Sequence, residues 1–308
     1  MPMCICFFIF TLSNRKNMRL HCIGLADPRL FAIARVLGNS GHEVSGSEEK
    51  LNYEKQEELV ESKVEVQGEG WSDRLVSGNL DGVIAGAGIG EENPELQRAR
   101  ELDVRIYTVP EILYELTRGK TRVVIAGGDY SGTLLSLVLY VMEYHNKHTD
   151  AVREKDGEVR IQLSEDNEFV ILAGSHLPYS ALDPVPQFYH YHPNIVWLTS
   201  LPGGDPEIAR AFTDRVVKGG IVVYNEDDPG LKAVVEASEN PVRKHPYHVL
   251  SGNGDGGKVV LDTPEGPMPL DMDDAHLTGH ILGAKWLCQH LGVDEEDFYE
   301  GIYSYEIS

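Results

Sequence analysis

The sequence predicts an α/β protein in two successive domains, each a parallel sheet flanked by helices. Three observations predict it. Short apolar runs such as Val123 to Ala126 alternate with segments of helical spacing, the pattern that builds strand-helix-strand units with parallel strands. Glycine clusters follow several of these runs, where a strand must turn sharply into a helix. The chain's 308 residues are enough for two domains that each bury a core.

In the first domain, expected over residues 18–118, Arg19 to Leu25 reads as a strand. Pro28 to Gly38 reads as a helix with Leu30, Ile33, Val36 and Leu37 on one face, and His42 to Ser47 as a second strand. Asp27 fits a helix N-cap, with Pro28 at the first helical position. Gly82 to Ala85 is a further strand, and Gly86-Ala87-Gly88-Ile89-Gly90 a loop that could cradle a diphosphate or simply serve a turn. A helix from Pro94 to Leu102, a strand from Val104 to Tyr107 and a helix from Val109 to Leu116 close the domain. Thr117-Arg118-Gly119-Lys120 reads as the linker.

The second domain, expected over residues 119–308, opens with T-R-V-V-I-A-G-G-D-Y-S-G-T-L-L-S-L from Thr121 to Leu137. A buried strand, paired glycines and a helix is the setting of a phosphate-binding loop, which aims backbone N–H groups and a helix N-terminus at a triphosphate. Such a loop also needs a Lys for the outer phosphates and a Ser or Thr for magnesium. This one has no Lys. Further on, Asn194 to Leu198 and Ile221 to Tyr224 read as strands, and Asp205 to Lys218 and Asp228 to Ala237 as helices. Arg243 to Leu250, Lys258 to Leu261 and Met268 to Leu270 read as strands of a hairpin-like extension around the glycine-rich stretch Ser251 to Gly257. Helices from His276 to Leu291 and from Glu295 to Tyr303 finish the chain. His190 and His192 form an H-x-H pattern that on a strand could bind a transition metal, but no acidic or cysteine partner stands nearby, so a structural strand is expected. His276 and His280 share one helix face without the Glu of a metalloprotease helix. No metal site is expected.

Hydrophobic residues at 42% and charged residues at 25% are ordinary for a globular chain. A formal charge of -22, with pI about 4.9, argues against nucleic-acid binding, which relies on cationic neutralisation of phosphates. The apolar run Cys4 to Phe10 is too short to span a bilayer and lacks the basic flank of a signal peptide. Residues 1–17 precede the stretches that carry the resemblance described below, which implies that they are a start-site extension. Four scattered cysteines give neither a disulfide framework nor a zinc pattern, and a reducing cytoplasm is the expected compartment.

Five stretches carry a family resemblance from about Arg19 to the last residue: His21-Cys22-Ile23-Gly24, Val44-Ser45-Gly46-Ser47, Asn93-Pro94-Glu95-Leu96, the run Gly219 to Glu226, and Gly283-Ala284-Lys285-Trp286. With them the chain resembles the Mur ligases, the ATP-dependent enzymes that build the peptide of the bacterial cell wall, most of all the murein peptide ligase and UDP-N-acetylmuramate L-alanine ligase branches. The resemblance implies a Rossmann-like first domain that holds a UDP-sugar at Gly24, Gly46, Ser47, Gly86 and Gly88. It implies a P-loop-like central domain with Asn225, Glu226 and His276 on the base side of ATP. The family loop G-[ST]-x-G-K-T-[TS] falls on Gly127, Gly128, Asp129, Tyr130, Ser131, Gly132 and Thr133, and no register recovers its Lys. The family's acidic L-E-G-D-E segment is Leu172-Ala173-Gly174-Ser175-His176 here, and its D-H-x-N motif is lost in the shortened run Ser200 to Asp205.

Hydrogen bonds to charged groups contribute about 1.5–3 kcal/mol each. Loss of the Lys thus weakens phosphate binding by one to two decades. A left-handed Tyr130, in a position where the family has glycine, would cost roughly 1–2 kcal/mol more, and Asp129 would repel phosphate. Relatives continue into a third domain that binds the incoming amino acid, and the chain, stopping at Ser308, is expected to lack it. The expected function is a binding or regulatory protein of peptidoglycan metabolism that has lost ligase activity, with no catalytic residues and no cofactor. A UDP-muramyl ligand or another cell-wall enzyme is the expected partner. The alternatives are an ATP- and magnesium-dependent ligase completed by a partner, and a UDP-sugar-binding module without chemistry.

Overall fold

The computed structural model describes residues 17–67, 70–128, 130–155, 158–251, 259–270 and 274–305. The expected extension therefore lies, except for Asn17, outside the described residues. Two compact units divide the chain: Met1–Gly119 with Tyr179–Pro184, and Lys120–Pro178 with Val185–Ser308.

The first unit is built on β1 (Arg19–Ile23), α1 (Pro28–Asn39), β2 (Glu43–Ser47), α2 (Tyr53–Glu61), β3 (Val64–Val66), β4 (Gly82–Ala85), α3 (Pro94–Glu101), β5 (Ile106–Thr108) and α4 (Val109–Thr117). Its strands form one sheet in the order β3-β2-β1-β4-β5, all parallel. Chain order reverses between β1 and β4, the place where open parallel sheets form a crevice. Side-chain caps fix where the helices start: Asp27 on α1, Asn52 on α2, Asn93 on α3, and a Thr108–Glu111 capping box on α4. Ile23, Val83, Ala85, Leu96 and Ala99 pack a core between sheet and helix.

Beneath that core runs a hydrogen-bond network whose members came from three separate sequence motifs. His21 and Glu95 are fully buried, with His21 Nε2 3.1 Å from Glu95 Oε2. Ser47 Oγ donates to the same carboxylate oxygen at 2.5 Å, Ser72 N donates to Oε1 at 2.9 Å, and His21 Nδ1 lies 2.8 Å from Ser45 Oγ. A Ser-His-Glu chain invites comparison with a catalytic triad, but its His21 and Glu95 are closed off from solvent while Ser45 is half-buried, and the network works as structure.

The second unit carries β6 (Thr121–Ala126), α5 (Ser131–Tyr144), β7 (Asp150–Lys155), β8 (Glu158–Gln162), β9 (Phe169–Ala173), β12 (Ile195–Leu198), α6 (Pro206–Thr213), β13 (Ile221–Asn225), α7 (Pro229–Ala237), β14 (Arg243–Tyr247), β15 (Val260–Thr263), β16 (Gly266–Pro269), α8 (Ala275–Gly279), α9 (Ile281–His290) and α10 (Glu295–Tyr303), while the short strands β10 (Pro178–Ser180) and β11 (Asp183–Pro186) fall where the division runs, Tyr179–Pro184 being counted in the first unit. β10 and β11 pair with each other, as do β15 and β16, and the rest form a seven-stranded sheet in the order β14-β13-β12-β6-β9-β7-β8. α5 is apolar nearly all round, burying Leu134, Leu135, Leu137, Val138, Leu139, Val141 and Met142, as a helix covered on several sides must.

Four expectations need correction. β14 is no part of a hairpin extension; it pairs in parallel with β13, and Pro246 is tolerated because this is an edge strand. α6 stops at Thr213, short of Lys218. The helix expected from His276 to Leu291 breaks at His280, whose φ of -100° and ψ of 10° leave helical geometry. His190 sits in a 3-10 turn, Gln187–Tyr191, and His192 is left-handed at φ 41°, so the H-x-H pair never presents one strand face. The glycine-rich stretch from Gly252 to Gly257 lies outside the described residues. Among those described, no helix is long and apolar enough to cross a membrane.

The Glu95 network makes a direct prediction. Glu95→Ala leaves the buried His21 and Ser47 without their shared partner, so equilibrium urea unfolding should show a loss of about 2–4 kcal/mol, from about 1–3 kcal/mol for each buried polar group left unsatisfied. A loss under 1 kcal/mol would mean that the network does not hold the unit.

Candidate functional site

Each unit gathers its candidate residues at the carboxyl edge of its sheet. In the first unit, the loops after β1, β2 and β4 wall a cleft of about 480 Å³. Gly24, Gly86 and Gly88, predicted from the sequence, line it. The other two predicted residues point elsewhere. Ser47 is fully buried on Glu95, and Gly46 is packed so closely that a Cβ would lie 2.6 Å from Leu25 Cδ1 and 2.9 Å from the Cys22 carbonyl oxygen. Gly46 is thus required by packing within the sheet, and its place in the motif carries no information about a ligand.

Asp27 does cap α1, its Oδ1 accepting from Arg29 N at 2.8 Å and Leu30 N at 2.9 Å. It does more than that: Oδ2 accepts from Ala87 N at 3.1 Å and from the buried Tyr179 hydroxyl at 3.0 Å. Burial and the neighbouring carboxylate push the Tyr179 phenol far above its usual range, so it stays a donor. Glu48, which stands where the resemblance puts an Asp beside Gly46 and Ser47, also lines the cleft, as do Trp71 and Glu92, which were not singled out from sequence.

In the second unit, four loops meet along the carboxyl ends of β6, β9, β12 and β13. Gly127 (φ 108°) and Gly128 (φ 76°) both adopt left-handed backbone after β6. A Cβ on Gly127 would lie 2.5 Å from Ser200 N and 2.7 Å from Ser200 O. Thr199 Oγ1 donates to the Gly127 carbonyl, and Thr199 N donates to Ala126 O at 3.0 Å. The paired glycines therefore seat the loop against the β12 strand end. Ser131 starts α5 and donates to Gly128 O at 3.3 Å. Gly132 and Thr133 lie in its first turn, and Asp129 is outside the described residues.

Tyr130 overturns one expectation. Its φ of -95° and ψ of 5° are right-handed, so the strain assigned to it does not arise. The predicted base-side residue His276 lies on α8 and stacks on the Tyr130 ring, with centroids 3.8 Å apart and planes at 17°. Two residues expected on opposite sides of a nucleotide thus lie face to face. Asn225 is spent on the scaffold: its Nδ2 donates to Thr199 O at 3.0 Å and its Oδ1 accepts from Asp227 N at 3.0 Å. Glu226 pairs with Lys232 at 2.7 Å and His248 at 3.3 Å. After β9 stand Ser175 and His176, and a Cβ on Gly203 would meet the His176 ring at 2.8 Å, which places His176 beside the loop after β12.

Among the described residues, His145, Asp297 and Glu300 have the chemistry and spacing of metal ligands. They stand at the far end of α5 and on α10, and His145 Nε2 is held by the Asp297 carbonyl at 2.6 Å.

His280, next to the stack, is held by the Tyr247 hydroxyl 2.8 Å from its Nδ1. Burial, then the nearby His276, lower its pKa to about 4 from an ordinary 6.5. A base depressed on folding stabilises above its unfolded pKa, and that stabilisation is lost as pH falls from about 6.5 to about 4. At about 1.4 kcal/mol per unit, the share at stake is about 3 kcal/mol. His280→Asn, which keeps an acceptor for Tyr247, should flatten that part of the stability–pH curve. Gly127→Ala should cost about 2–4 kcal/mol at any pH, from a left-handed alanine and its overlap with Ser200. Both effects are read by denaturant unfolding across the pH range.

With this geometry established, comparison with known proteins gives a consistent result. Residues 19–121 match the family described as Mur ligase family, catalytic domain. The UDP-N-acetylmuramate–L-alanine ligase of Mycolicibacterium vanbaalenii is 25% identical over 326 residues, covering 94% of this chain and 65% of the relative. That of Mycobacterium tuberculosis is 24% identical over 322 residues, covering 94% of this chain and 64% of the relative. The chain thus spans just under two thirds of the length of these curated relatives. In fold, it is similar to the UDP-N-acetylmuramate:L-alanyl-γ-D-glutamyl-meso-diaminopimelate ligase of Neisseria meningitides, with a TM-score of 0.78 at 16% identity over 95% of this chain and 99% of that one. It is also similar to a murein peptide ligase of Psychrobacter arcticus, with a TM-score of 0.75 at 15% identity over 94% of this chain and 68% of that one.

Proposed function

We propose that this chain, which carries a Mur ligase family domain, serves peptidoglycan metabolism as a binding or regulatory protein whose nucleotide site no longer supports phosphoryl transfer. The observation that carries the reading is the Tyr130–His276 stack over the loop after β6. A ring pair worth about 0.5–1.5 kcal/mol must open before a nucleotide base enters beside His276.

The other supports are chemical. Phosphoryl transfer is positioning plus electrostatic stabilisation, and its parts are a cation on the outer phosphates and carboxylate-held magnesium. In this loop the Lys position holds Ser131 or Thr133 according to register, and neither brings a positive charge. Among the described residues the N-terminus of α5 has no side-chain cap, but a helix end contributes only about 0.3–1 kcal/mol toward an anion. Ser175 and His176 follow β9 where a hard cation would want carboxylates. Retained caps, core and sheet order support a role that uses the folded surface. The chemistry is gone while the scaffold is kept.

The test is calorimetric titration with Mg-ATP, alongside ATP turnover in the presence of UDP-N-acetylmuramate and L-alanine. The expected outcome is no ATP binding at millimolar concentration and no turnover, while the chain changes the rate of a cell-wall ligase from the same organism. Micromolar ATP binding with turnover would overturn the reading and put a working or partner-completed ligase in its place.

A further inference from the structure

Helix α5 begins at the loop after β6, and its 14 residues reach about 21 Å from there. At the far end His145 closes the helix, its backbone N donating to Val141 O at 3.3 Å. The ring lies edge-on to that of Tyr144, with centroids 4.9 Å apart, and its Nε2 would be 3.5 Å from a Cβ on Gly301 of α10. Asp297 and Glu300 stand on the same helix, spaced so that both project from one side of it. One oxygen of each and one ring nitrogen of His145 all lie within 4.8 Å of one another.

The hydrogen bonds around this cluster decide which of its atoms can take a ligand. His145 Nε2 lies 2.6 Å from the Asp297 main-chain oxygen. A carbonyl only accepts, so Nε2 carries the proton and the neutral ring keeps its lone pair on Nδ1. Nδ1 lies 3.8 Å from Asp297 Oδ1. That is too long for a hydrogen bond, and close to the roughly 3.3 Å that separates two ligands of a tetrahedral ion with bonds of about 2.0–2.1 Å. Glu300 is steadied from outside the cluster, its Oε1 accepting from the Tyr144 hydroxyl at 3.3 Å. A histidine tied through its other nitrogen to a carbonyl, beside a carboxylate held by a hydroxyl, has the outer partners that metal ligands have. Asp297 and Glu300 also line a cavity of about 720 Å³, which gives an ion a way in and leaves room for water on its open side.

We propose that His145 Nδ1 and the carboxylates of Asp297 and Glu300 bind a zinc ion that ties the end of α5 to α10. One imidazole and two carboxylates fill three corners of a tetrahedron, and water takes the fourth. Calcium and magnesium want more oxygen ligands than this set supplies, and the imidazole favours zinc over both. Sequence spacing gave no sign of the site, because His145 and Asp297 are 152 positions apart. This goes beyond the reading of the nucleotide loop, and the two fail separately, since the ligands stand at the other end of α5 and the variants below leave the loop after β6 untouched.

The experiment is calorimetric titration of zinc chloride into the chelator-stripped full chain at neutral pH, with thermal melts recorded with and without zinc. The proteins compared are the wild type, His145→Asn, Asp297→Asn, Glu300→Gln and His248→Ala. Asp297→Asn removes a ligand charge but keeps the carbonyl that orients His145. His248 is the control for adventitious binding, an exposed imidazole 2.8 Å from Asp227 and 3.3 Å from Glu226. The wild type and the control should bind zinc with a Kd in the micromolar range, and zinc at roughly a hundred times that Kd should raise the Tm by about 5 °C. Each ligand variant should lose at least the roughly 10–100-fold in affinity that removing an outer partner costs, and with it the rise in Tm. Wild-type binding no tighter than millimolar would overturn the proposal. So would micromolar binding that the folded ligand variants keep, which would make the ion adventitious. If His145→Asn does not fold, Glu300→Gln, at an exposed position, decides alone.

Discussion

A loop that leaves a parallel strand turns its N–H groups toward the carboxyl edge of the sheet, and each of them must find an acceptor. Much of this molecule follows from how that requirement is met. In the first unit, the acceptors are side-chain carboxylates, Asp27 and Glu48, each bridging between neighbouring residues or loops. In the second, hydroxyl, amide and carboxylate side chains tie the loops to one another: Thr199 Oγ1 donates to the carbonyl of Gly127, Asn225 Nδ2 donates to that of Thr199, and Leu201 N donates to the Asp228 carboxylate at 2.9 Å. Both solutions stabilise the edge without a ligand.

The fold was largely legible because its signals are local. Pro after an Asx residue at Asp27-Pro28, Asn93-Pro94 and Asp228-Pro229 marks helix starts, and all three caps form. Apolar runs such as Ile221 to Tyr224 gave the buried parallel strands. The misreadings share one physical cause, which is that tertiary pairing decided them. Arg243 to Tyr247 has the polarity of a peripheral hairpin, yet β13 needed a partner on its outer side. The segment around His190 alternates like a strand but has no neighbour to pair with as one, and it winds into a 3-10 turn.

The site was legible in part, for a related reason. A missing Lys can be read from a string of letters, and so can missing acids. The Tyr130–His276 stack joins residues 146 positions apart, and no periodicity connects them. Tyr130 was expected to be strained because a family position assigned it a glycine's backbone; the chain instead starts α5 one residue later and lets the ring turn toward α8. Likewise, Asp27 was correctly read as a cap, but its second oxygen, directed at Ala87, became visible only once β1 and β4 lay side by side.

The buried network also bears on what motif similarity means. His21, Ser45, Ser47 and Glu95 come from three of the stretches that carry the family resemblance, and in the folded chain they form one chain of hydrogen bonds. Replacing any one strands a buried polar group, whose cost is paid whether or not the protein catalyses anything. Such motifs persist because the fold requires them. The Lys and the acids that the resemblance implies for the loops at the sheet's edge have no part in this buried network, and the sequence does not carry them. A match in these stretches is therefore evidence about the fold first, since recognisability follows burial while ligand chemistry is set by the loops at the sheet's edge.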